Sequence, residues 1–566
     1  MARKARIAHL AGPNATIQNT PPLVTSNKAR AKHHLPLLTN PDGAPARFDV
    51  LRPQRLAAPV TVYVEQFSAH PLEADTAELY GAPDSYVDSA GRVHKERQSA
   101  EDKPVYEVEL RPEDGLYPLP YMARQADGTA WEEECAFSNA PEEKARQGFF
   151  PDGSRSFEEI DRLQIGESGV GNLISAKADV DFYRVLPPSG YKKGLPADRR
   201  TDCGAGDIPA ERRGVDFFPY KPPHLAASAP RPALARVTNS VQQILASGTY
   251  DGAIWTEGSP RIEETIYWLN LLIDTTVPIC GNAAQRPHGM ISNDGPKNIV
   301  DSVEYITSRI WADEQGRNQA GAVLIQEQRV FAARAVQKAD ARPGGYVATG
   351  GHGGVLGAAG HDGAPLLHYL PTARHTWRSD VNVARLPSEV SGVCREGSRI
   401  EAVPVAIKGS DGTLLDNAIP KVAITKDASY WDDYGSHHPE AEVDLVAMIG
   451  YMLKSAPLAG FVVEGFTPYG RSASNARHQL MLRAVHSGFP VVRVGRGNTE
   501  GFVPLHDPYF IGGSNLTATK ARLLLMACLM KFGSLPPAAD PDHPNSAEAA
   551  AVQKKVAEYQ VIFNTH

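Results

Sequence analysis

Residues 249–298 constrain the fold more than any other segment. An apolar run of β type, Ala253-Ile254-Trp255, stops at Glu257-Gly258-Ser259-Pro260. Apolar residues then recur at helical spacing at Ile262, Ile266 and Leu269, and continue through 271–273. A second apolar strand over 277–280 stops at Gly281-Asn282. This is the pattern of a strand–turn–helix–strand unit in an open α/β sheet. Ligands bind such sheets at the carboxyl ends of the strands. Both turns fall there, so both are candidate site loops.

The rest of the chain divides around this unit. Residues 1–45 are rich in Pro, Asn, Thr and basic residues without periodicity, which taken alone reads as a disordered tail; the alternative, an extended arm that orders against another subunit, is the expectation. Residues 46–155 contain alternating runs at 60–64 and 105–110 between turn-rich stretches, and read as a β-rich domain with a structural or oligomer-contact role. A large α/β domain is expected over 156–375, its first strand at 160–165 leading to a Gly-rich turn at 166–174. Pro and Gly punctuate 186–235, an insertion expected to reshape the pocket. Gly350-Gly351-His352-Gly353-Gly354 lacks the strand-then-helix context of a phosphate nest and reads as part of a hairpin. A linker over 376–418 precedes a smaller α/β domain over 419–566. Its strands are expected at 421–424, 460–463 and 490–494, and its helices at 443–453, 474–486, 518–530 and 546–563.

Charge and composition exclude several classes. The net charge of −7 favours neither nucleic acid nor an anionic membrane as partner. No apolar run is long enough to cross a bilayer, and the basic N-terminal stretch lacks the apolar core of a signal peptide. Five scattered Cys without a CxxC give no zinc site and suit a reducing compartment, so a cytoplasmic location is expected. Asp432, Asp433, His437, His438 and Glu440 have metal-ligand chemistry but match no ligand spacing, and read as a solvated loop. No metal or other cofactor is expected.

Six segments, in order, resemble the bacterial-type L-asparaginase/glutaminase family. Residues 257–265, EGSPRIEET, stand for the family's HGTDTMEET. Gln285-Arg286-Pro287 with 292–296, SNDGP, stand for GAMRP…SADGP. Residues 334–338, RAVQK, resemble RDVTK, and PTARHT at 371–376 with Ser379-Asp380 resembles TPARKHTSD. NLTATKARLLL at 515–525 resembles LNPQKARVLL, and the IFNTH ending resembles IFNQY. The similarity covers roughly 160–566. It implies an α/β, two-domain asparaginase-like fold with a larger and a smaller open, mostly parallel sheet, preceded here by the extra β-rich N-terminal domain. It also implies a dimer of dimers, a homotetramer with sites at subunit boundaries.

The resemblance implies site residues one by one. Ser259 and Lys338 match the Thr and Lys of the family site, where a hydroxyl needs a base within hydrogen-bond reach to attack an amide. The family's neighbouring Asp, which grips the substrate amino group, is Pro260 here. Ser259 could equally serve only as a helix cap. The family's TGGTI turn has no match at 166–174, so either Ser168 is the nucleophile or Asn172 occupies its place without attacking. Tyr183 stands for the tyrosine that assists the nucleophile. Gly258 would stabilise an oxyanion through its N–H. Glu257 replaces a His, as an acid/base or as a ligand of a backbone N–H or Arg286. Ser228 falls near the family's substrate-binding Ser-Gln pair. In the second-domain loop that reaches a neighbouring site the family's Asn is missing and Tyr469 is the aromatic alternative, while Glu500 is a candidate for the carboxylate contributed from the partner. The expected function is hydrolysis of a C–N amide bond by a Lys-assisted hydroxyl. With the amino-group anchor gone, the expected substrate is a less polar or cyclic amide rather than asparagine. The alternatives are a catalytically inactive binding or scaffold protein, or a subunit of an amidotransferase complex.

Overall fold

The computed structural model describes residues 3–12, 171–185, 230–259, 261–286, 292–342, 344–349, 352–360, 364–427, 438–467, 470–472, 474–497 and 507–566. It also describes shorter pieces at 24–26, 43–44, 48–55, 60–64, 82–88, 93–110, 116–120, 149–151, 191–193 and 217–219, and positions 157, 160, 161, 164 and 166.

The large sheet is built on a strand from the beginning of the chain. Strand β1 (Ala5–Ala11) lies between β2 (Ala178–Arg184) and β3 (Gly252–Thr256), parallel to both. The sheet continues through β4 (Ile279–Asn282) and β5 (Val323–Gln326), also parallel, to the antiparallel β6 (Arg329–Ala332). The fragment Lys103–Leu110, paired with Val60–Val64 and Ser85–Val87, belongs to a separate antiparallel sheet, and Val24–Ser26 pairs with Phe48–Arg55 in another.

This arrangement corrects two expectations. Residues 5–11 are not an arm on a partner but a core strand, with Ile7, Ala8, Leu10 and Ala11 buried. A parallel strand covered on both faces needs no alternation, only a short apolar run, and this one is masked in sequence by its basic flanks. The β-rich sheets are therefore inserted between β1 and β2 rather than preceding the α/β domain. The strand expected at 160–165 is the second correction. Ile160 and Asp161 are helical, and the Asp161 carboxylate accepts from the N–H groups of Ile174 and Ser175.

Helices α1 (Pro230–Ala246), α2 (Ile262–Leu272) and α3 (Gly295–Ser308) cover the sheet. On α2, Tyr267, Trp268, Leu271 and Leu272 are fully buried, and so are Ile266 and Leu269 on its other side. A helix apolar all round is one packed on both sides. One face of α2 meets the large sheet. The other joins a core shared with the smaller lobe, including Leu524 and Leu525. Each such side chain contributes ~1.5–3 kcal/mol, so α2 welds the two lobes together.

After β6 the chain forms the hairpin β7 (Val336–Lys338) and β8 (Tyr346–Ala348), then β9 (Val355–Ala358), which pairs with β6. The linker holds a hairpin of β10 (Glu389–Glu396) and β11 (Arg399–Ala406). The smaller lobe is a four-stranded parallel sheet: β12 (Lys421–Lys426), β13 (Ala459–Gly465), β14 (Val491–Gly495) and β15 (Ile511–Gly512). Its helices are α4 (Val443–Ser455), α5 (Asn475–His486), α6 (Ala518–Phe532) and α7 (Ser546–Phe563). The α/β, two-lobed architecture expected from sequence is present. Among the described residues no helix is long and apolar enough to cross a membrane.

Candidate functional site

The carboxyl ends of β1 and β3 converge. The Gly12 N–H donates to the Thr256 carbonyl at 2.9 Å. A methyl group at Gly12 would lie 2.9 Å from the Trp255 ring, so only glycine allows the two strand ends to approach this closely. Beyond Thr256 the Glu257 N–H donates to the Asn282 carbonyl at the end of β4. The next turn delivers Ser259 to the start of α2.

Ser259 meets two side chains from the β7–β8 hairpin. Lys338 Nζ donates to Ser259 Oγ at 2.7 Å, and the Tyr346 hydroxyl donates to the same oxygen at 2.8 Å. The register explains why both arrive together. Lys338 and Tyr346 are directly opposed across the hairpin, and opposed residues share a face. The pair expected from sequence is thus assembled, and Tyr346 is the member that sequence reasoning missed. Nothing local in the sequence marks it, because its place is set by the register that pairs it with Lys338 across the hairpin. Burial raises the Tyr346 phenol well above its usual range, so it carries its proton at neutral pH.

The alternative role of Ser259 as a helix cap is not what the geometry shows. Arg261 occupies the cap position of α2 without a side-chain cap bond. Behind Ser259, the Glu263 carboxylate on the first turn of α2 accepts the backbone N–H of Lys338. The helix carrying the hydroxyl and the strand carrying the amine are therefore tied to each other.

The other candidates separate into three groups. Gly258 stays in the turn, half-buried beside Ser259. Glu257 is turned inward at 3% exposure, where the Trp255 indole N–H donates to it at 3.0 Å. Burial raises its carboxyl, with Thr265 and Trp255 opposing that shift through hydrogen bonds. It braces the strand end, not Arg286, whose guanidinium goes to Glu327 at 3.0 Å.

Asn172 and Tyr183 are not brought to Ser259. Asn172, in a left-handed turn (φ 59°), precedes β2. Because β2 begins opposite the beginning of β1, that turn lies at the amino edge of the sheet, away from the carboxyl edge where Ser259 sits. Tyr183 shares a 2.6 Å hydrogen bond with Tyr250, which in turn donates to Asp181 at 2.9 Å. Ser168, Ser228, Tyr469 and Glu500 lie outside the described residues, as do residues 428–437 of the acidic–histidine cluster. Among the described residues, no three His, Cys, Asp or Glu side chains gather as a metal site.

The second turn, after β4, is organised by Asp294. Its carboxylate accepts the N–H of Arg286 at 2.8 Å, the N–H of Gln285 at 3.0 Å and the Asn298 amide at 3.2 Å, as well as the Gln326 amide. Asn298 also donates to the Ala283 carbonyl, and its oxygen accepts the Glu327 N–H.

Residues 228–351 match the family model described as asparaginase, N-terminal. The chain is 26% identical over 366 residues to L-asparaginase 2-3 of Saccharomyces cerevisiae, covering 64% of this chain and 84% of that protein. It is 26% identical over 302 residues to the glutaminase-asparaginase of Acinetobacter glutaminasificans, covering 53% of this chain and 76% of that protein. A crystal structure of a probable cytoplasmic L-asparaginase from Campylobacter jejuni is similar at 20% identity and a TM-score of 0.45, over 70% of this chain and 91% of that one.

Proposed function

Taking as premise that the chain is a divergent member of the asparaginase family, we propose that it hydrolyses a C–N amide bond with Ser259 as nucleophile, Lys338 as its base and Tyr346 as a second donor. The observation that carries this reading is the Ser259 oxygen held at 2.7 Å from an amine and 2.8 Å from a phenol at the carboxyl edge of a parallel sheet. Lys338 takes the Ser259 proton as Oγ bonds the amide carbonyl carbon. The tetrahedral oxyanion forms beside the first turn of α2, whose leading N–H groups have no intrahelical acceptor. The C–N bond then breaks, and the departing nitrogen takes the proton from Lys338. Water hydrolyses the ester by the same relay.

The substrate in this reading is not free asparagine but a less polar or cyclic amide. An α-ammonium group needs a carboxylate partner, and Pro260 stands where the family has Asp. The neighbouring Glu257 carboxyl is committed to Trp255 inside the fold. The same reading places the enzyme in the cytoplasm, in keeping with free thiols at Cys280, Cys394 and Cys528, and as a dimer of dimers. Sedimentation as a monomer at micromolar protein would rule that assembly out.

The deciding test is ammonia or amine release from linear amides, cyclic amides and imides, with asparagine included. Wild-type release that is lost in both Ser259→Ala and Lys338→Ala establishes the reaction and its pair. Release that survives Ser259→Ala moves the nucleophile, and Thr16, four residues beyond Gly12 in the sequence, is then the hydroxyl to substitute next. Release from asparagine alone overturns the substrate assignment. No release from any amide by folded protein supports a binding or scaffold role.

A further inference from the structure

Lys520 belongs to α6 of the smaller lobe, yet its side chain ends inside the larger one. The residue is 2% exposed. Its Nζ donates to the carbonyl of Glu263 on the first turn of α2 and to the carbonyl of Ala333, the latter at 2.7 Å. Those two carbonyls lie on the two segments that deliver the site. Ser259 leads into α2, and Ala333 precedes the strand that ends in Lys338. Glu263 closes the connection, since its carboxylate accepts the Lys338 N–H. A buried lysine is costly unless its charge has partners, and here it has both carbonyls and the Tyr267 ring, 5.1 Å away.

We propose that Lys520 is a positioning residue for the Ser259–Lys338 pair. From the smaller lobe it pins the first turn of α2 to the segment before β7, and it supplies the counter-charge that keeps Glu263 an anion able to hold the Lys338 backbone. The consequence for turnover rests on the amidohydrolase reading above; the consequence for Glu263 does not.

The surrounding charges set the sign. Burial lowers Lys520, opposed by Glu263 and Glu264 and reinforced by Arg334. Burial raises the Glu263 carboxyl, opposed by the Lys338 N–H, Lys520 and the Lys338 charge and reinforced by Glu264. Glu263 in turn helps raise Tyr346, and Arg522 pairs with Glu264 at 2.6 Å. Removing the Lys520 charge therefore favours protonation of Glu263, and a protonated carboxyl is a poorer acceptor for Lys338.

The test compares wild type with Lys520→Met, Lys520→Arg and Glu263→Gln. Carbon-13 carboxyl spectra of protein labelled at glutamate, with Glu263 assigned from Glu263→Gln, follow its titration whether or not turnover is detected. The Glu263 midpoint is expected at higher pH in Lys520→Met and back near the wild-type value in Lys520→Arg. On the best amide substrate, Lys520→Met is expected to lower kcat by about tenfold to a hundredfold. KM should stay within about twofold, the signature of lost alignment rather than lost binding. The acid limb of its rate profile should move up in pH together with Glu263. If Lys520→Met fails to fold by circular dichroism, Lys520→Gln takes its place. An unmoved Glu263 midpoint overturns the proposal, whatever happens to kcat. A moved midpoint with unchanged kcat in an active enzyme overturns the positioning role. A wild type inactive on every amide leaves the Glu263 midpoint to decide the proposal, and counts against the amidohydrolase reading alone.

Discussion

The two turns at the carboxyl edge of the large sheet come after adjacent strands and are built to opposite ends. In the turn after β4, the acceptor at the centre is saturated: Asp294 takes two backbone N–H groups and two side-chain amides. In the turn after β3, the central atom is a serine oxygen facing two proton carriers, and among the described residues no carboxylate contacts it. The first arrangement fixes a shape. The second leaves a hydroxyl that accepts from both and keeps its own proton to give. Fully satisfied polar networks rigidify, whereas an activated nucleophile must keep something unspent. On the proposed reading of Ser259, the difference explains why a site loop and a structural loop can share one sheet edge.

The comparison is tested most severely at Ser259. Ser259→Ala is expected to lower amide turnover by about a thousandfold or more, while thermal stability changes little, because the hydroxyl serves no cap and no core contact. Lys338→Met is expected to approach the same loss, since members of one relay are not additive. If Ser259→Ala melts at a much lower temperature with turnover intact, the two turns are alike and both are structural.

The opposite result is expected at Asp294. In Asp294→Ala, several donors within a buried turn lose their acceptor at once, at a cost of about 3 kcal/mol or more. Urea unfolding should record that loss, and the remaining folded enzyme should keep most of its kcat. A variant of wild-type stability would mean that water replaces the carboxylate.

A smaller effect separates the helix behind this turn from the turn itself. Asp301 on α3 is fully buried, its Oδ2 finds no partner among the described residues, and Lys297 donates to Oδ1. Burial pushes its carboxyl up to about 6, against the opposing pull of Lys297. The folded state therefore binds more protons than the unfolded chain between about pH 4 and 6, so stability falls as pH rises through that window, by no more than about 3 kcal/mol. Asp301→Asn should flatten the slope and gain about 1–2 kcal/mol at pH 7, less than the full amount because the Lys297 contact weakens. Parallel unfolding curves for the two proteins at pH 4 and pH 7 would refute the assignment.

These contrasts were unevenly legible in the sequence. Helix α2 and its flanking strands announce themselves by period, because a helix packed on both sides and strands covered on both faces are apolar enough to stand out. Ser259 and Lys338 were readable because they sit in motifs with local order. Strand β1 was not: its neighbours in the sheet, β2 and β3, begin at residues 178 and 252, and no local pattern encodes a partner that far along the chain. The turn at Asn172 drew attention to the other edge for the same reason, since composition reveals a turn but not which end of a sheet it serves. Tyr346 was hidden because its role depends on register across a hairpin, and Lys520 because its partners are carbonyls in another lobe.

The finest test of the contrast is Tyr346→Phe, which removes one oxygen and keeps the ring. The ring is buried at 1% exposure in the core beside α2, so packing survives the change. Two accounts of the hydroxyl differ in their consequences. As an orienting donor it holds the Ser259 oxygen toward the substrate, and its loss costs about tenfold in kcat, about 1.4 kcal/mol. As a proton source for the departing nitrogen it would cost a hundredfold or more, with a greater penalty for amides whose leaving amine is more basic. Its raised pKa makes the proton hard to give up, which favours the smaller loss and an unchanged ranking of leaving groups. A kcat series over anilides and alkyl amides distinguishes the two. Equal losses across the series keep Lys338 as the carrier of the proton, and losses that grow with amine basicity transfer that role to Tyr346.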